Sequence, residues 1–260
     1  MGILNVTPDS FSDGGRFIDV ETAKRHAERM AEDGAAIIDI GGESTRPGAA
    51  SVGEAEELQR VIPVIEALQE VTDLPISIDT SKAVVMREAV SSGAAMINDV
   101  LALQEPGALQ AVADLSVPVC LMHMQGRPRS MQQKPSYTDV VSDVSLFLQK
   151  RVAACVAAGI DRECIVIDPG FGFGKTHSHN IELLANLRQL QDLELPLLVG
   201  ISRKSTLGEI TGRDVENRMA GSIAAAVIAV MQGAQIVRAH DIKETVDALR
   251  VARAVLDGKQ

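Results

Sequence analysis

Eight times along this 260-residue chain, a short apolar run ends on a polar residue capable of chemistry. The closing residues are Asn5, Asp39, Asp79, Asn98 with Asp99, His123, Asp168, Ser202 with Arg203 and Lys204, and Arg238 with His240. Runs such as AAII at 35–38, IVI at 165–167 and LLV at 197–199 are apolar without alternation, the pattern of strands buried on both faces. Between the runs, apolar residues recur at helical spacing over 20–33, 53–70, 82–91, 105–114, 137–158, 178–190, 214–231 and 241–256. Strand and helix alternating in this way predict parallel strands with right-handed crossovers. The expected fold is an α/β (β/α)8 TIM barrel, a single domain over 1–260, with its active site at the C-terminal face of the strands. A doubly wound open sheet is the weaker alternative, because no dinucleotide fingerprint follows the first strand.

Composition narrows the partners. The formal net charge of −10 disfavours general nucleic-acid binding, and no apolar stretch has membrane-spanning length. The chain opens directly on a strand without a basic leader, so no signal peptide is expected. Cys120, Cys155 and Cys164 lack ligand-like spacing and read as reduced buried thiols, consistent with a cytoplasmic protein. Within this acidic chain, Arg46, Arg203, Lys204, Arg238 and His240 all follow strands. A cationic spot at the catalytic face points to an anionic small-molecule substrate, while some of these cations are expected to pair with nearby aspartates. Aromatics are scarce, with no Trp, one Tyr and five Phe. Phe11, Phe171 and Phe173 fall in post-strand loops, where a planar ligand can stack.

Several motifs specify the chemistry further. Asp39, Asp79, Asn98 and Asp168 come from four different strands. A carboxylate accepts two parallel hydrogen bonds from a ring N–H beside an exocyclic amine, and Asn offers one donor and one acceptor edge. The set suits a flat, amine-bearing heterocycle, with Lys204 offsetting the carboxylates. The DPGFGFGK segment at 168–175 fits neither a Walker A loop, which needs Gly at Pro169, nor a Rossmann fingerprint, which needs Gly or Ala at Lys175. It reads as a Gly-rich turn that lets backbone approach a ligand beside Asp168. Arg46 in a Gly-rich loop, and Arg238 with His240 before a helix, suit phosphate. Asn5 alone is a weak Mg²⁺ signal that gains weight only beside a diphosphate. His123 reads as structural. Three long post-strand loops, 6–19, 41–52 and 124–136, are functional candidates, and the first two have the composition of mobile lids.

Taken together, these segments resemble the bacterial dihydropteroate synthases of folate biosynthesis. The resemblance runs from residue 1 to about residue 256 through ILNVTPDSFSDG at 3–14, IDIGGESTRPG at 38–48, SIDT at 77–80, IND at 97–99, HMQG at 123–126, DPGFGFGK at 168–175, SRKS at 202–205 and RAH at 238–240. It implies condensation of 6-hydroxymethyl-7,8-dihydropterin diphosphate with 4-aminobenzoate, giving 7,8-dihydropteroate and diphosphate. By resemblance, Asp79, Asn98, Met122, Asp168, Phe173 and Lys204 hold the pterin. Asn5, Arg46, Arg238 and His240 take the diphosphate, with Asn5 on Mg²⁺. Phe11, Thr45, Pro47, Phe173, Lys204 and Ser205 contact the aminobenzoate. The implied catalytic set is Asn5, Arg46, Lys204, Arg238 and His240. Sulfonamide inhibition and a homodimer packed through the last helices are also implied. Family members usually carry a short segment before the first strand, so this chain is expected to be a truncated form. Ala83 stands where Pro is common and Thr206 where a bulkier apolar residue is common. The rival readings are a methyltetrahydrofolate-corrinoid methyltransferase, which needs no diphosphate set, and a pterin-binding barrel without catalysis.

Overall fold

All eight expected strands form, and all are short: β1 (Gly2–Asn5), β2 (Ile38–Gly41), β3 (Ile76–Asp79), β4 (Met96–Asp99), β5 (Val119–Met122), β6 (Ile165–Asp168), β7 (Leu198–Val199) and β8 (Ile236–Val237). The structure, a computed structural model, describes residues 1–7, 20–45, 48–49, 51–128 and 130–258. Strands β1 to β6 form one parallel sheet in chain order, and β7 pairs with β8. Single parallel bridges from Ile167 to Leu197 and from Gly2 to Ala239 join the two sheets into a ring. At the second seam, Ile3 N donates to Ala239 O at 3.1 Å and Ala239 N to Met1 O at 3.0 Å. The fold is the expected (β/α)8 barrel.

The helices are α1 (Val20–Glu32), α2 (Glu54–Leu68), α3 (Ala83–Ser91), α4 (Ala108–Leu115), α5 (Val140–Ala157), α6 (His177–Ala185), α7 (Ser205–Thr211), α8 (Met219–Met231) and α9 (Ile242–Leu256). Two expected helices are shorter than the sequence periodicity suggests. The pattern over 178–190 resolves into α6 and a 3-10 turn, Leu187–Leu193, and that over 214–231 into a 3-10 turn, Val215–Asn217, and α8. Helix α7 was not expected, because its seven residues are too few to show a helical period.

Alternation along each strand separates two cores. Ile38 and Ile40, Ile76 and Ile78, and Ile165 and Ile167 pack outward with the helices. Met96, Cys120, Val166 and Leu198 form a separate plug inside the barrel. Full burial of each such side chain is worth about 1.5–3 kcal/mol relative to exposure. The register then sets the depth of the polar inward positions. Gly41 is level with Asp79, and Asp79 with Asn98, while Asp39 pairs with Ser77 one pleat deeper. Cys120 and Cys155 are buried and unpaired, and Cys164 is half-buried and unpaired.

Asp99 faces its own loop instead of the barrel mouth. Its carboxylate accepts from Ser81 Oγ, from Leu101 N at 2.8 Å and from Leu103 N at 2.7 Å. These bonds hold a turn in which Ala102 and Leu103 have positive φ, 51° and 58°. Arg151 braces the same turn from α5, donating to Ala102 O at 2.8 Å and Leu103 O at 3.2 Å. Asp99→Ala orphans two backbone donors and unsupports a strained turn, so it is expected to cost roughly 2–5 kcal/mol. Urea denaturation checks this; a loss below about 1 kcal/mol would show that the turn holds without its carboxylate.

Candidate active site

The inward side chains at the strand ends enclose a recess at the barrel mouth. It is lined by Thr45, Asp79, Asn98, Val100, Met122, Asp168, Phe171, Phe173, Gly200, Lys204 and Arg238. Every residue expected to hold a pterin lies there, as do Thr45 and Arg238. Of the other lining residues, Phe171 had been singled out only as a loop aromatic, whereas Val100 and Gly200 carry no chemical signal in the sequence. Val100, Met122 and Phe173 pack with Met124 and Met131 into a soft apolar wall.

Charge in the recess is organised around Arg238. Its Nε donates to Asp39 Oδ2 at 2.6 Å, and a terminal nitrogen donates to Asp79 Oδ2 at 2.9 Å. Asn98 Nδ2 donates to the same Asp39 oxygen at 3.2 Å. Burial pushes the Asp79 carboxyl up to about 7, with Asp39, Asp99 and Glu57 adding to the rise and Arg238 opposing it. Burial likewise raises Asp168 to about 6, against the Gly170 N–H donating at 2.7 Å and the nearby Lys204 and Lys175. Lys204 is lowered to about 8 by burial and by Arg238, and its Nζ sits 4.0 Å from the centroid of the Phe173 ring. Acceptors and donors therefore face one another in one recess, the carboxylates of Asp79 and Asp168 opposite Lys204 and Arg238.

The Gly-rich turn beside Asp168 presses on the loop after β5. A Cβ on Gly170 would lie 1.9 Å from His123 O, and one on Gly174 would lie 2.3 Å from Gln125 O, both at positive φ. Lys175 pins the contact. Its fully buried Nζ reaches His123 Nδ1 at 2.9 Å, Gly170 O at 2.9 Å and Phe173 O at 3.2 Å. Burial lowers this lysine to about 7, but three acceptors around one nitrogen match the three hydrogens of an ammonium. The geometry therefore favours the charged form. His123, lowered to about 2 by burial and by Lys175, is its neutral acceptor. His123 is structural, as expected, and Lys175 is the partner that the sequence did not reveal.

A family model described as "Pterin binding enzyme" matches residues 1–240. The dihydropteroate synthase of Escherichia coli (strain K12) is 55% identical over 260 residues, covering 100% of this chain and 92% of that protein. The Yersinia pestis dihydropteroate synthase, solved with a sulfonamide drug, superposes with a TM-score of 0.94 at 56% identity, over 98% of this chain and 93% of that one. The Xanthomonas albilineans enzyme in complex with 7,8-dihydropteroate gives a TM-score of 0.89 at 53% identity, over 98% and 92%. The chain belongs to the dihydropteroate synthase family. It is a transferase, and these relatives leave the corrinoid methyltransferase and the non-catalytic barrel without support.

Not every residue expected in a dihydropteroate synthase site lines the recess. Phe11, Arg46 and Pro47 lie outside the described residues. Ser205 is exposed at the start of α7. His240 is half-buried beside Ser202, whose Oγ lies 3.0 Å from its Nδ1, and burial with Arg203 and Arg238 lowers it to about 4. Arg203 is taken up by a two-bond pair with Asp241 at 2.5 and 3.2 Å. Asn5 lies at the end of β1, and its Oδ1 is 3.7 Å from where a Gly41 Cβ would stand.

Asp168 carries the clearest prediction. Its folded pKa lies above the ordinary 3.8, so stability falls as pH rises from about 3.8 to about 6, where the loss is complete at roughly 3 kcal/mol, 1.36 kcal/mol per unit. Asp168→Asn keeps the acceptor for Gly170 N–H and is expected to melt no lower than wild type at pH 7. The same change should abolish measurable pterin binding in calorimetry. In the unmodified enzyme, kcat/KM for the pterin substrate should fall as pH drops through about 7 and then 6, where Asp79 and Asp168 gain protons, and as it rises past about 8, where Lys204 loses one. A folded Asp168→Asn variant with unchanged pterin affinity would remove Asp168 from the site.

Proposed function

We propose that this transferase condenses 6-hydroxymethyl-7,8-dihydropterin diphosphate with 4-aminobenzoate at the barrel mouth, releasing diphosphate. The observation that carries the reading is the recess itself, where Asp79, Asn98, Asp168, Lys204 and Arg238 converge from β3, β4, β6, β7 and β8. The heterocycle's adjacent N–H and amine groups suit a carboxylate, and its carbonyl suits Lys204. Phe173 and Met122 cover its faces. Arg238 and His240, with Arg46 from the second loop, receive the diphosphate at the start of α9. Thr45, Phe173, Lys204 and Ser205, with Phe11 and Pro47, receive the aminobenzoate.

Asn5 fits a magnesium ion in a limited way. Its side chain offers a neutral oxygen with no hydrogen-bond partner among the described residues, and no cluster of three His, Cys, Asp or Glu occurs among them. Magnesium commonly takes few protein ligands, completing its shell with phosphate oxygens and waters. Bound there, it would supply charge neutralisation for the departing diphosphate. The chain's own residues do the rest. Arg238 and His240 stabilise the leaving anion. The buried carboxylates favour positive charge developing on the pterin methylene as the bond to oxygen breaks. The amine then attacks in a dissociative, SN1-like substitution, with no enzyme nucleophile required.

Two wider features belong to the same reading. Helices α8 and α9 pack on one another and leave Ile228, Met231, Val251, Val255 and Leu256 exposed, with Val251 and Val255 each about two-thirds accessible. That apolar stripe supports a homodimer formed through the last helices, and Val251→Asp should yield monomers in sedimentation. Three free thiols support a cytoplasmic enzyme made of one pterin-binding domain over 1–260, and no helix among the described residues is long and apolar enough to cross a membrane.

The deciding assay is diphosphate release from the pterin substrate. Release should depend on 4-aminobenzoate, be competed by sulfonamides against 4-aminobenzoate, and stop in excess EDTA; full activity in EDTA would count against the metal. Arg238→Ala and His240→Ala should each weaken the diphosphorylated pterin by at least roughly 10-fold more than the phosphate-free pterin, the scale of one lost charge-assisted hydrogen bond. Equal weakening of both ligands would overturn the diphosphate role.

A further inference from the structure

Asp39 stands apart from the carboxylates that line the recess. It is fully buried, one pleat below Asp79, and is not among the lining residues. Its Oδ2 nevertheless accepts from Arg238 Nε at 2.6 Å and from Asn98 Nδ2 at 3.2 Å, while its Oδ1 has no partner among the described residues. A carboxylate paired with a guanidinium accepts and does not donate. The edge of Asn98 turned toward it must therefore be the amine edge, which settles an orientation that an isolated asparagine leaves open. The carbonyl oxygen of Asn98 is then the edge left for the recess.

We propose that Asp39 is a positioning residue for pterin recognition: through Oδ2 it turns the Asn98 carbonyl oxygen toward the recess and, on the same atom, holds Arg238. The proposal rests on the recess being the pterin pocket. It makes Asn98 an acceptor for ligand N–H groups, alongside Asp79 and Asp168, and leaves Lys204 as the donor to the ring carbonyl. Without Asp39 the amide has no reason to prefer that edge. Turned the other way, its amine would meet a ring N–H donor to donor.

The test exchanges donor and acceptor. Asp39→Asn weakens the hold on both Arg238 and Asn98. Asn98→Asp sets a carboxylate against the carboxylate of Asp39. In the double variant Asp39→Asn/Asn98→Asp, the amide now at position 39 donates to the carboxylate now at position 98, at the expense of its bond from Arg238 Nε, and an acceptor again faces the recess. The ligand is 6-hydroxymethyl-7,8-dihydropterin without diphosphate, measured by calorimetry. Each single change should weaken binding roughly 10- to 100-fold, and the double variant should recover part of that loss, binding at least about 5-fold more tightly than the weaker single. Loss through general misfolding would not be rescued by a second substitution. A double variant no better than the weaker single, or Asp39→Asn binding as wild type does, overturns the proposal.

Should Asp39→Asn fail to fold, the free wild-type enzyme gives a second measurement. Nuclear magnetic resonance should find one Asn98 side-chain amide hydrogen protected from solvent exchange by Asp39, and two fast-exchanging hydrogens would contradict the assignment. Wild-type enzyme that binds no pterin at all would instead sink the pterin reading and take this proposal with it.

Discussion

One guanidinium makes the floor of this barrel tolerable. Asp39 and Asp79 lie almost wholly out of water, and Arg238 is the cation bonded to both. Ionised groups buried without a partner cost several kcal/mol each, and breaking such a pair by truncation typically costs about 3–5 kcal/mol. One cation answers two carboxylates at the floor, and the acceptors of Asp79 and Asp168 suit a ligand with N–H donors and an electron-poor ring. Binding and the proposed ring cation both draw on those acceptors.

Much of the site was legible in the sequence because a parallel barrel sorts residues by position. Asp79, Asn98, Met122, Asp168 and Arg238 each follow or close an apolar run, and register brings them to one face. Depth was less legible. Asp39 ends an apolar run just as Asp79 does, yet β2 continues to Gly41, and the stagger places Asp39 beneath the others. The partnership of Lys175 with His123 crosses between loops 52 residues apart, and no local pattern encodes it. Helix α7 was too short for periodicity, and Arg203 looked like a substrate cation until its pairing with Asp241 was seen.

Two of the long loops are held in different ways. The loop after β5 is a fixed wall. Gln125 exchanges hydrogen bonds with Ser136 at 2.7 and 2.8 Å, and Tyr137 reaches Gly174 O at 2.6 Å. The loop after β2 is anchored at its base, where Lys82 bridges Glu43 and Glu57 and Val52 N donates to Glu43 at 3.1 Å. Thr45, expected to meet the aminobenzoate, thus leaves a rigid base, whereas Asp79, Asn98, Met122 and Asp168, expected to hold the pterin, stand on strands. Such a division lets the aminobenzoate end vary while the pterin end stays fixed.

Ring closure between Gly2 and Ala239 also governs how the molecule is made. The pairing spans nearly the whole chain, and the bond from Arg238 to Asp39 spans 199 residues. Contacts this distant in sequence slow folding, because the chain must pay for closing a long loop before the contact rewards it. During synthesis, a nascent chain that has not yet reached β8 has open sheet edges and two acidic groups without their cation. Open edges of that kind recruit other chains. The last strand to emerge is therefore both the seal of the barrel and the counter-charge of its site, so folding and catalytic competence arrive in a single late step.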